Sequence, residues 1–578
     1  MTAPRLDCPK QARCSGCALG ASPYPEGLAQ KAAQLSAALE PYAPLRPELL
    51  PARAASPTLA YRVRAKLVSH KRALGLFERG SHRVLDVAGC RVLSPALTAA
   101  SEALRQRLPL PIHGADLRET SEGVLLTLLS EEPRARPQLL KVAEALVRDG
   151  VALSVALALR RPGDVRLLAS EPEVGSGPAA ARHALSESLP YAYAAHGGFV
   201  QAHAGQASYV YAEIARGLGE RLGGLAGRRV LELFAGNGAL ALQLARGGAQ
   251  VTAVESYAPA IELSQRAARE QGLALDAVAD DAARFAAAAR GRFDAVVVNP
   301  PRRGLEPELR QAIARATPRV LAYVSCHPRT LARDAAHFAS LGLRLESAEP
   351  LDMIPWSDAV EALTWFSPSA RPETRVLFRD EQLLAAEKAP HQPVSGDDPS
   401  ALVRGVRALP GWSEAMPLDG WGDATSGVCW FARNAELARE VASATRDVEV
   451  TLLVRGNLRK QGTITRRHAA GPAVGTRYHK LADVARHSLT TARITDTDER
   501  GLLGDFADIR HPVLGDGATG DPASNRFVWH RHALDRPFLH IKRSSLTTAD
   551  GRQRSAPSDH DPAPDLDWVL TSLRSDQT

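Results

Sequence analysis

The stretch Arg228-Arg-Val-Leu-Glu-Leu-Phe-Ala-Gly-Asn-Gly238 decides how the chain is read. An apolar strand pattern runs straight into a glycine turn, and a helical pattern, Ala239 to Arg246, follows it. Strand and helix patterns then alternate: Gln250 to Glu255, Pro259 to Gln271, Asp294 to Asn299, Leu309 to Ala316 and Arg319 to Ser325. Such alternation predicts an α/β fold with a doubly wound, mostly parallel sheet.

The turn Gly236-Asn-Gly238 lets a small ligand approach the backbone, because glycine tolerates conformations closed to other residues. It is not the Gly-x-Gly-x-x-Gly pyrophosphate fingerprint. Glu255, ending the second strand, suits a ribose diol, and Asp281 suits an adenine amino group. A short glycine turn followed by two acids points to S-adenosylmethionine over a nicotinamide dinucleotide.

Further along stands Tyr323-Val-Ser-Cys-His-Pro-Arg-Thr-Leu-Ala-Arg-Asp334. Cys326 falls where a strand ends and a loop opens, the edge at which open α/β sheets collect ligands. A thiol is a strong nucleophile once ionised, and His327 and Arg329 beside it would favour the thiolate. The alternative is a cysteine packed as a small hydrophobe.

With 578 residues the chain predicts several domains, each with its own core. A net charge of +7 permits a polyanionic partner without requiring one. The first residues, Met1 to Cys8, carry no apolar signal segment, and no apolar run approaches a membrane span. The expectation is a cytoplasmic protein with no membrane association, whose cysteines are reduced thiols or metal ligands. Half of its six cysteines, Cys8, Cys14 and Cys17, fall within ten residues. That is a ligand pattern, yet it lacks the two Cys-x-x-Cys pairs of a zinc ribbon. With Cys90 as the fourth ligand, the uneven spacing reads as a 4Fe–4S site ahead of zinc or free thiols.

Between the cysteines and the sheet, residues 25–190 read as an α+β region. Pro25 to Tyr42 is an amphipathic helix, and Tyr61 to Ser69 a strand with Arg62, Arg64 and Lys66 on one face. Leu74 to Phe77 and Val84 to Val87 read as partner strands. Val151 to Leu159 and Val165 to Ala169 flank a hairpin signal at Arg161 to Asp164. The basic face would meet RNA phosphates or simply be solvated.

Four segments together resemble the bacterial RNA 5-methyluridine methyltransferase family: Phe199-Val-Gln-Ala-His203, Leu231 to Gly238, Val298-Asn-Pro-Pro-Arg-Arg-Gly304, and Ser325 to Asp334. A fifth, Asp352-Met-Ile-Pro-Trp-Ser-Asp-Ala-Val-Glu361, is similar to the segment that carries the family's base. The cysteine set resembles the iron–sulfur ligands of the branch acting on 23S ribosomal RNA, and the short amino terminus is most similar to the RlmC type. The resemblance covers residues 8–367. It implies a class I S-adenosylmethionine-dependent methyltransferase of Rossmann-like fold, acting on carbon 5 of a uridine in 23S rRNA with no obligate protein partner. It implies Cys326 as nucleophile and Glu361 as base. Gln201, Phe234, Gly236, Gly238, Glu255, Asp281 and Asn299 become the cofactor-binding set, with Gln201 and Asn299 also placed to hold the uracil. Cys8, Cys14, Cys17 and Cys90 become the ligands of a 4Fe–4S cluster. Trp356, Asp358 and His203 depart from the family's usual residues. A transfer RNA target and an RNA-binding assembly protein without catalysis are the rival readings.

Phe366 to Thr374 is rich in proline and serine and reads as a boundary. The domains so drawn are 1–24, 25–190, 191–367, a linker at 368–375, and 376–578. The last is similar to RluA-type pseudouridine synthases in its opening strand, in Pro417 to Gly427, in Tyr478 and in His511 to Asp516. Their loop reads His-Arg-Leu-Asp-x-x-Thr-Ser-Gly. Here Met416 and Pro417 replace the His-Arg pair, and five residues separate Asp419 from Thr425. Arg500, the expected partner of the catalytic aspartate, is out of place. The reading is a retained RNA-binding module, with a second active enzyme as the alternative. The tail from Gly551 reads as poorly ordered, with a short helix at Asp567 to Leu573.

Overall fold

The computed structural model describes residues 5–42, 45–159, 172–289, 291–316, 318–466, 474–495 and 498–576. The strand Arg229–Leu233 lies at the centre of an eight-stranded sheet, paired in parallel with Gln250–Glu255 on one side and Ala295–Val298 on the other. Val230, Leu231 and Leu233 are buried, as a strand covered on both faces requires. Outward from Ala295–Val298 come Val320–Ser325, then Glu361–Pro368, Leu343–Leu351 and the short Glu48–Leu49. Glu361–Pro368 alone runs antiparallel to its neighbours. The ends of Arg229–Leu233, Ala295–Val298 and Val320–Ser325 therefore share one sheet edge, which brings the glycine turn, Asn299 and Cys326 together.

The first helix, Tyr24–Leu39, packs on this sheet and not on the region that follows it in sequence. Leu35 and Leu39 enter the core with Ala335 and Phe338. The unit expected at 25–190 thus begins later. The physical reason is occupancy: the seven-stranded sheet spanning Arg64 to Ser176 already has one face covered by helices Pro95–Gln106 and Arg136–Arg148.

In that sheet the basic strand is Arg64–His70, and its cations are already engaged. Arg64 and Lys66 approach Asp116 at 3.9 and 3.8 Å, and the fully buried Arg118 pairs with the same carboxylate at 2.9 Å. The predicted hairpin at Arg161 to Asp164 and strand at Val165 to Ala169 lie outside the described residues.

The sheet of the carboxyl-terminal third runs in the order Val376–Arg379, Leu383–Lys388, Ser426–Ala432, Leu539–Thr547, Thr445–Arg455, His487–Thr495, Val474–Val484 and Gln461–Arg466. The boundary is sharper than the sequence implied, since Pro368 still belongs to the strand of the preceding sheet. The tail contains the expected final helix and is otherwise better ordered than its composition suggested. Gln553–Pro557 pairs with Leu539–Thr547, and Pro564–Ser575 is a helix whose Leu566, Val569, Leu570 and Leu573 are buried. Spacing of three and four residues builds an apolar stripe despite the polar composition around it. Among the described residues no helix is long and apolar enough to cross a membrane.

Candidate active site

Cys326 follows directly on Ser325, which pairs with Ala362 across the antiparallel strands. Continued one step beyond its last pair, that register would set Cys326 opposite Glu361, where side chains of opposed strands meet. Electrostatics report the same proximity. Burial, with the Glu361 carboxylate, pushes the Cys326 thiol up to about 11 against the pull of Arg302. Burial lifts Glu361 to about 7 against the opposing pull of Arg302 and Lys31.

The cation whose charge lowers the thiol is Arg302, and neither of the sequence neighbours His327 and Arg329 contributes. His327 is driven down to about 4 by burial and by Arg302, Arg333 and Arg329, so it is neutral at pH 7. It acts instead as a helix cap, with Thr330 N–H donating to Nδ1 at 3.4 Å. Sequence reasoning missed Arg302 as a functional residue, although the segment Val298 to Gly304 that contains it was singled out.

The base-bearing segment is braced from the amino terminus. Asp352 accepts from Lys31 Nζ at 2.5 Å and from Tyr24 O–H at 2.6 Å, a buried pair that fixes Tyr24–Leu39 against residues 352–361. Trp356, with φ at 68°, donates from Nε1 to the Thr58 carbonyl at 2.9 Å and accepts Leu19 N–H on its carbonyl at 2.8 Å. His203 caps the helix Ala204–Leu222 and stacks on Tyr61 at 4.8 Å.

A cleft lies at this sheet edge. Gln201, Phe234, Gly236 and Asn299 line it, with Val324, Tyr211 and Glu232. Phe234 and Gly236 take left-handed backbone conformations, φ 62° and 57°, which turn the chain back under the cleft. Gly238 has φ 73°, and a Cβ there would meet Ser264 Oγ at 2.6 Å. Gly238, Glu255 and Asp281 stand outside this lining. Glu255 braces the turn, accepting Gly236 N–H at 3.1 Å and Tyr257 N–H at 3.0 Å. Asp281 caps the helix Ala282–Ala288 through Oδ1, which accepts from Ala283 and Arg284 N–H. Glu232 is a buried acid that the sequence reading passed over. Burial lifts it to about 8, and its Oε2 has no partner among the described residues.

The four cysteines of the amino-terminal pattern converge. Cys8, Cys17 and Cys90 pack around Trp356 and Tyr61. Burial pushes the Cys17 thiol up to about 12, with Cys90, Cys14 and Cys8 each raising it and Arg62 lowering it. Gly16 N–H donates to Cys14 Sγ at 3.4 Å. Among the described residues, no three His, Cys, Asp or Glu side chains stand close enough to hold a single metal ion as they are.

In the carboxyl-terminal sheet, Asp419 is buried and its two oxygens are both engaged. Oδ2 accepts Trp430 N–H at 2.6 Å, and Oδ1 pairs with Arg446 at 3.1 Å. Arg500 is exposed on the helix Glu499–Asp508. Burial raises Asp419 to about 6, against Arg446 and the Trp430 N–H. Tyr478 packs beside Phe506 with ring centroids 5.9 Å apart.

Residues 203–323 match the methyltransferase small domain family. The 23S rRNA (uracil(1939)-C(5))-methyltransferase RlmD of Pseudomonas aeruginosa is 32% identical over 374 residues, covering 63% of this chain and 80% of that one. The relative carries the RlmD name, where the short amino terminus had pointed to the RlmC type. Among solved structures, the Pyrococcus abyssi tRNA (uracil-54, C5)-methyltransferase in complex with S-adenosyl-L-homocysteine aligns with a TM-score of 0.49 and 22% identity over 61% of this chain and 85% of that one. Human RNA pseudouridylate synthase domain containing 4 aligns with a TM-score of 0.28 and 14% identity, over 35% of this chain and 93% of that one.

Proposed function

We propose a residue-level mechanism for a chain that belongs to the 23S rRNA (uracil-C5)-methyltransferase family, on the strength of a relative 32% identical over four-fifths of its length. The chain transfers a methyl group from S-adenosylmethionine to carbon 5 of a uracil in RNA. The observation that carries the mechanism is the proximity of Cys326 and Glu361, which adjoin the paired strand ends Ser325 and Ala362, with Arg302 acting on both.

Carbon 5 of uracil is a weak nucleophile. The Cys326 thiolate adds to carbon 6, and the electron pair displaced from the 5,6 double bond makes carbon 5 nucleophilic. S-adenosylmethionine, when bound, supplies the electrophilic methyl group. Carbon 5 takes that methyl and S-adenosylhomocysteine leaves; Glu361 then takes the carbon 5 proton, the double bond re-forms, and the carbon–sulfur bond breaks to release the Cys326 thiolate. A carboxylate near 7 is suited to that proton transfer at neutral pH. Asn299 and Gln201 donate from the cleft wall toward the developing enolate oxygen and the uracil edge. Gln201, Phe234, Gly236 and Asn299 would contact the cofactor directly. Gly238 and Glu255 shape its turn, and Asp281 would meet the adenine end.

Cys8, Cys14, Cys17 and Cys90 would hold a 4Fe–4S cluster. What supports this reading is that Cys90, Cys14 and Cys8 all act on the Cys17 thiol, and Cys8, Cys17 and Cys90 pack together. Its chemistry there is structural: it would clamp the amino-terminal segment on Trp356, next to the base-bearing segment. Anaerobic protein with stoichiometric iron and sulfide is the expected result, and zinc without iron would exclude the cluster.

The carboxyl-terminal domain is read as a pseudouridine-synthase-like fold that binds RNA without isomerising it. The altered loop supports this: Met416 and Pro417 stand in place of the His-Arg pair, and five residues separate Asp419 from Thr425. Mapping modified uridines in rRNA exposed to wild type, Cys326→Ala and Asp419→Ala tests both assignments. Methylation surviving Cys326→Ala, or pseudouridine that disappears in Asp419→Ala, would overturn the corresponding one.

A further inference from the structure

We propose that the carboxyl-terminal domain completes the methyltransferase site, with Asp535 acting as a positioning residue that locks the loop carrying Arg302. The proposal rests on the reading of Cys326 as the nucleophile and adds a part drawn from the other domain.

The loop 299–305 is moulded by the helix Pro328–Ser340. The Arg302 carbonyl accepts Thr330 O–H at 3.1 Å, and the Arg303 carbonyl accepts Arg333 Nη2–H at 2.9 Å. Leu305 N–H donates to Asp334 Oδ2 at 2.8 Å. Gly304, with φ 76°, lies so close to the mould that a Cβ would meet Asp334 Oδ2 at 2.6 Å and Arg333 Nη2 at 2.9 Å. Asp334 also accepts Tyr323 O–H at 2.9 Å, three residues before Cys326.

Arg333 and Asp334 hold the loop, so whatever fixes them fixes Arg302. Asp334 takes both Arg333 and Arg310, at 2.8 and 2.9 Å. Two buried guanidinium groups on one buried carboxylate leave an uncompensated positive charge, which protein interiors do not tolerate. The second carboxylate comes from the other domain. Asp535 pairs with Arg310 at 2.6 Å and Arg333 at 3.4 Å, and the Ala533 carbonyl accepts from Arg333 Nη1 at 2.7 Å. Arg310 and Asp334 are fully buried, and Asp535 is 3% exposed. Burial disfavours the charged form of Asp535, but Arg333, His391 and Arg310 hold it well below the usual carboxylate range, so it is ionised wherever the enzyme works. Trp529 from the same domain covers Arg303 and Arg333 at 5.7 and 5.8 Å, and Trp568 lies against His327 at 5.3 Å.

The test uses the full chain. Alkylation of Cys326 by iodoacetamide is followed against pH by mass spectrometry of its peptide, alongside kcat and KM for methyl transfer. Asp535→Asn is expected to lower kcat by about tenfold or more, since small misplacements of a catalytic group are costly. KM for S-adenosylmethionine should stay within about twofold, because none of these residues lines the cleft. The Cys326 alkylation midpoint should move to higher pH as Arg302 loses its position, and Asp535→Glu should recover most of both effects. Asp535→Asn leaves a buried charge unbalanced and could fail to fold. The double variant Arg310→Leu/Asp535→Leu keeps Arg333 and Asp334 paired one to one, and it should fold with the same upward midpoint shift. A wild-type midpoint in either folded variant overturns the proposal, as does a loss of kcat that merely follows the folded fraction. The two readings fail separately. Methyl transfer by Cys326→Ala would remove the nucleophile assignment whatever the midpoints do, whereas unmoved midpoints remove only the lock between domains.

Discussion

Glu361 and Asp419 invite comparison. Each is an acidic residue enclosed by protein, raised by burial, to about 7 and about 6, and each faces one arginine, Arg302 or Arg446. Their surroundings differ. The Glu361 carboxylate lies close enough to the Cys326 thiol to raise it. Asp419 accepts a backbone N–H with one oxygen and an arginine with the other. A raised carboxylate is thus not by itself a catalytic group. Under the proposed mechanism the two differ in surroundings: Glu361 lies beside the Cys326 thiol, whereas Asp419 is held by Trp430 N–H and Arg446.

The largest expected effect tests that contrast directly. Cys326→Ala should reduce methyl transfer to background while S-adenosylmethionine binding, measured by calorimetry, stays intact. Asp419→Ala should leave methyl transfer within about twofold, as expected for distant sites without shared partners. A comparable loss in both variants would erase the distinction between the two regions.

Next in size is the base. Glu361→Gln should lower turnover by about 10²–10⁴, the range typical of a lost general base. RNA should accumulate on Cys326, visible as a covalent adduct on a denaturing gel. Turnover without adduct would assign the proton to another group.

The pH dependence sharpens the comparison further. Glu361 near 7 is protonated below that value and cannot accept a proton, so methyl transfer should rise through pH 7 as the carboxylate forms. The Cys326 alkylation midpoint should lie well above that of an ordinary thiol, and Glu361→Gln should lower it by removing the adjacent negative charge. A midpoint that moves upward in Glu361→Gln would contradict the proximity of the two groups.

The smallest effect concerns Asp419. Its folded value, about 6, lies above the ordinary carboxylate value of 3.8, so the folded state binds the proton more tightly. Stability from this group is therefore full below the ordinary value and is lost as pH rises through about 6. Asp419→Asn mimics the protonated form. It should be more stable than wild type at pH 8 by at most about 3 kcal/mol, less whatever the Arg446 pairing returns, and indistinguishable from it near pH 4. Urea melts at the two pH values check this; a destabilised Asn variant at pH 8 would show that the Arg446 pairing outweighs the burial cost.

How much of this was legible depended on range. The strand, turn and helix around Gly236 could be read because their signals are local: apolar runs, a glycine where φ is positive, a period of 3.6 residues. The cysteine spacing and the segments holding Cys326 and Glu361 were legible for the same reason. In the tail the final helix was legible from the spacing of Val569, Leu570 and Leu573, whereas the strand Gln553–Pro557 was missed because a polar composition hid it. The helix Tyr24–Leu39 was correctly drawn as a helix but assigned to the wrong neighbour, because an amphipathic face does not name the surface that covers it.

The sequence by itself determined which residues could act: a thiol at a strand end, an acid entering the adjacent strand, glycines at the turn and cysteines gathered near the amino terminus. Only the tertiary structure decided which charges act on them. Arg329 stands three residues from Cys326 in the chain, yet Arg302 is the cation whose charge lowers its thiol. Arg500 was the expected partner of Asp419, yet Arg446 holds it at 3.1 Å. Asp535 lies about two hundred residues beyond the nucleophile and anchors the mould of the Arg302 loop. Coulomb and hydrogen-bond energies depend on distance through space and on burial, and neither quantity is written along the chain.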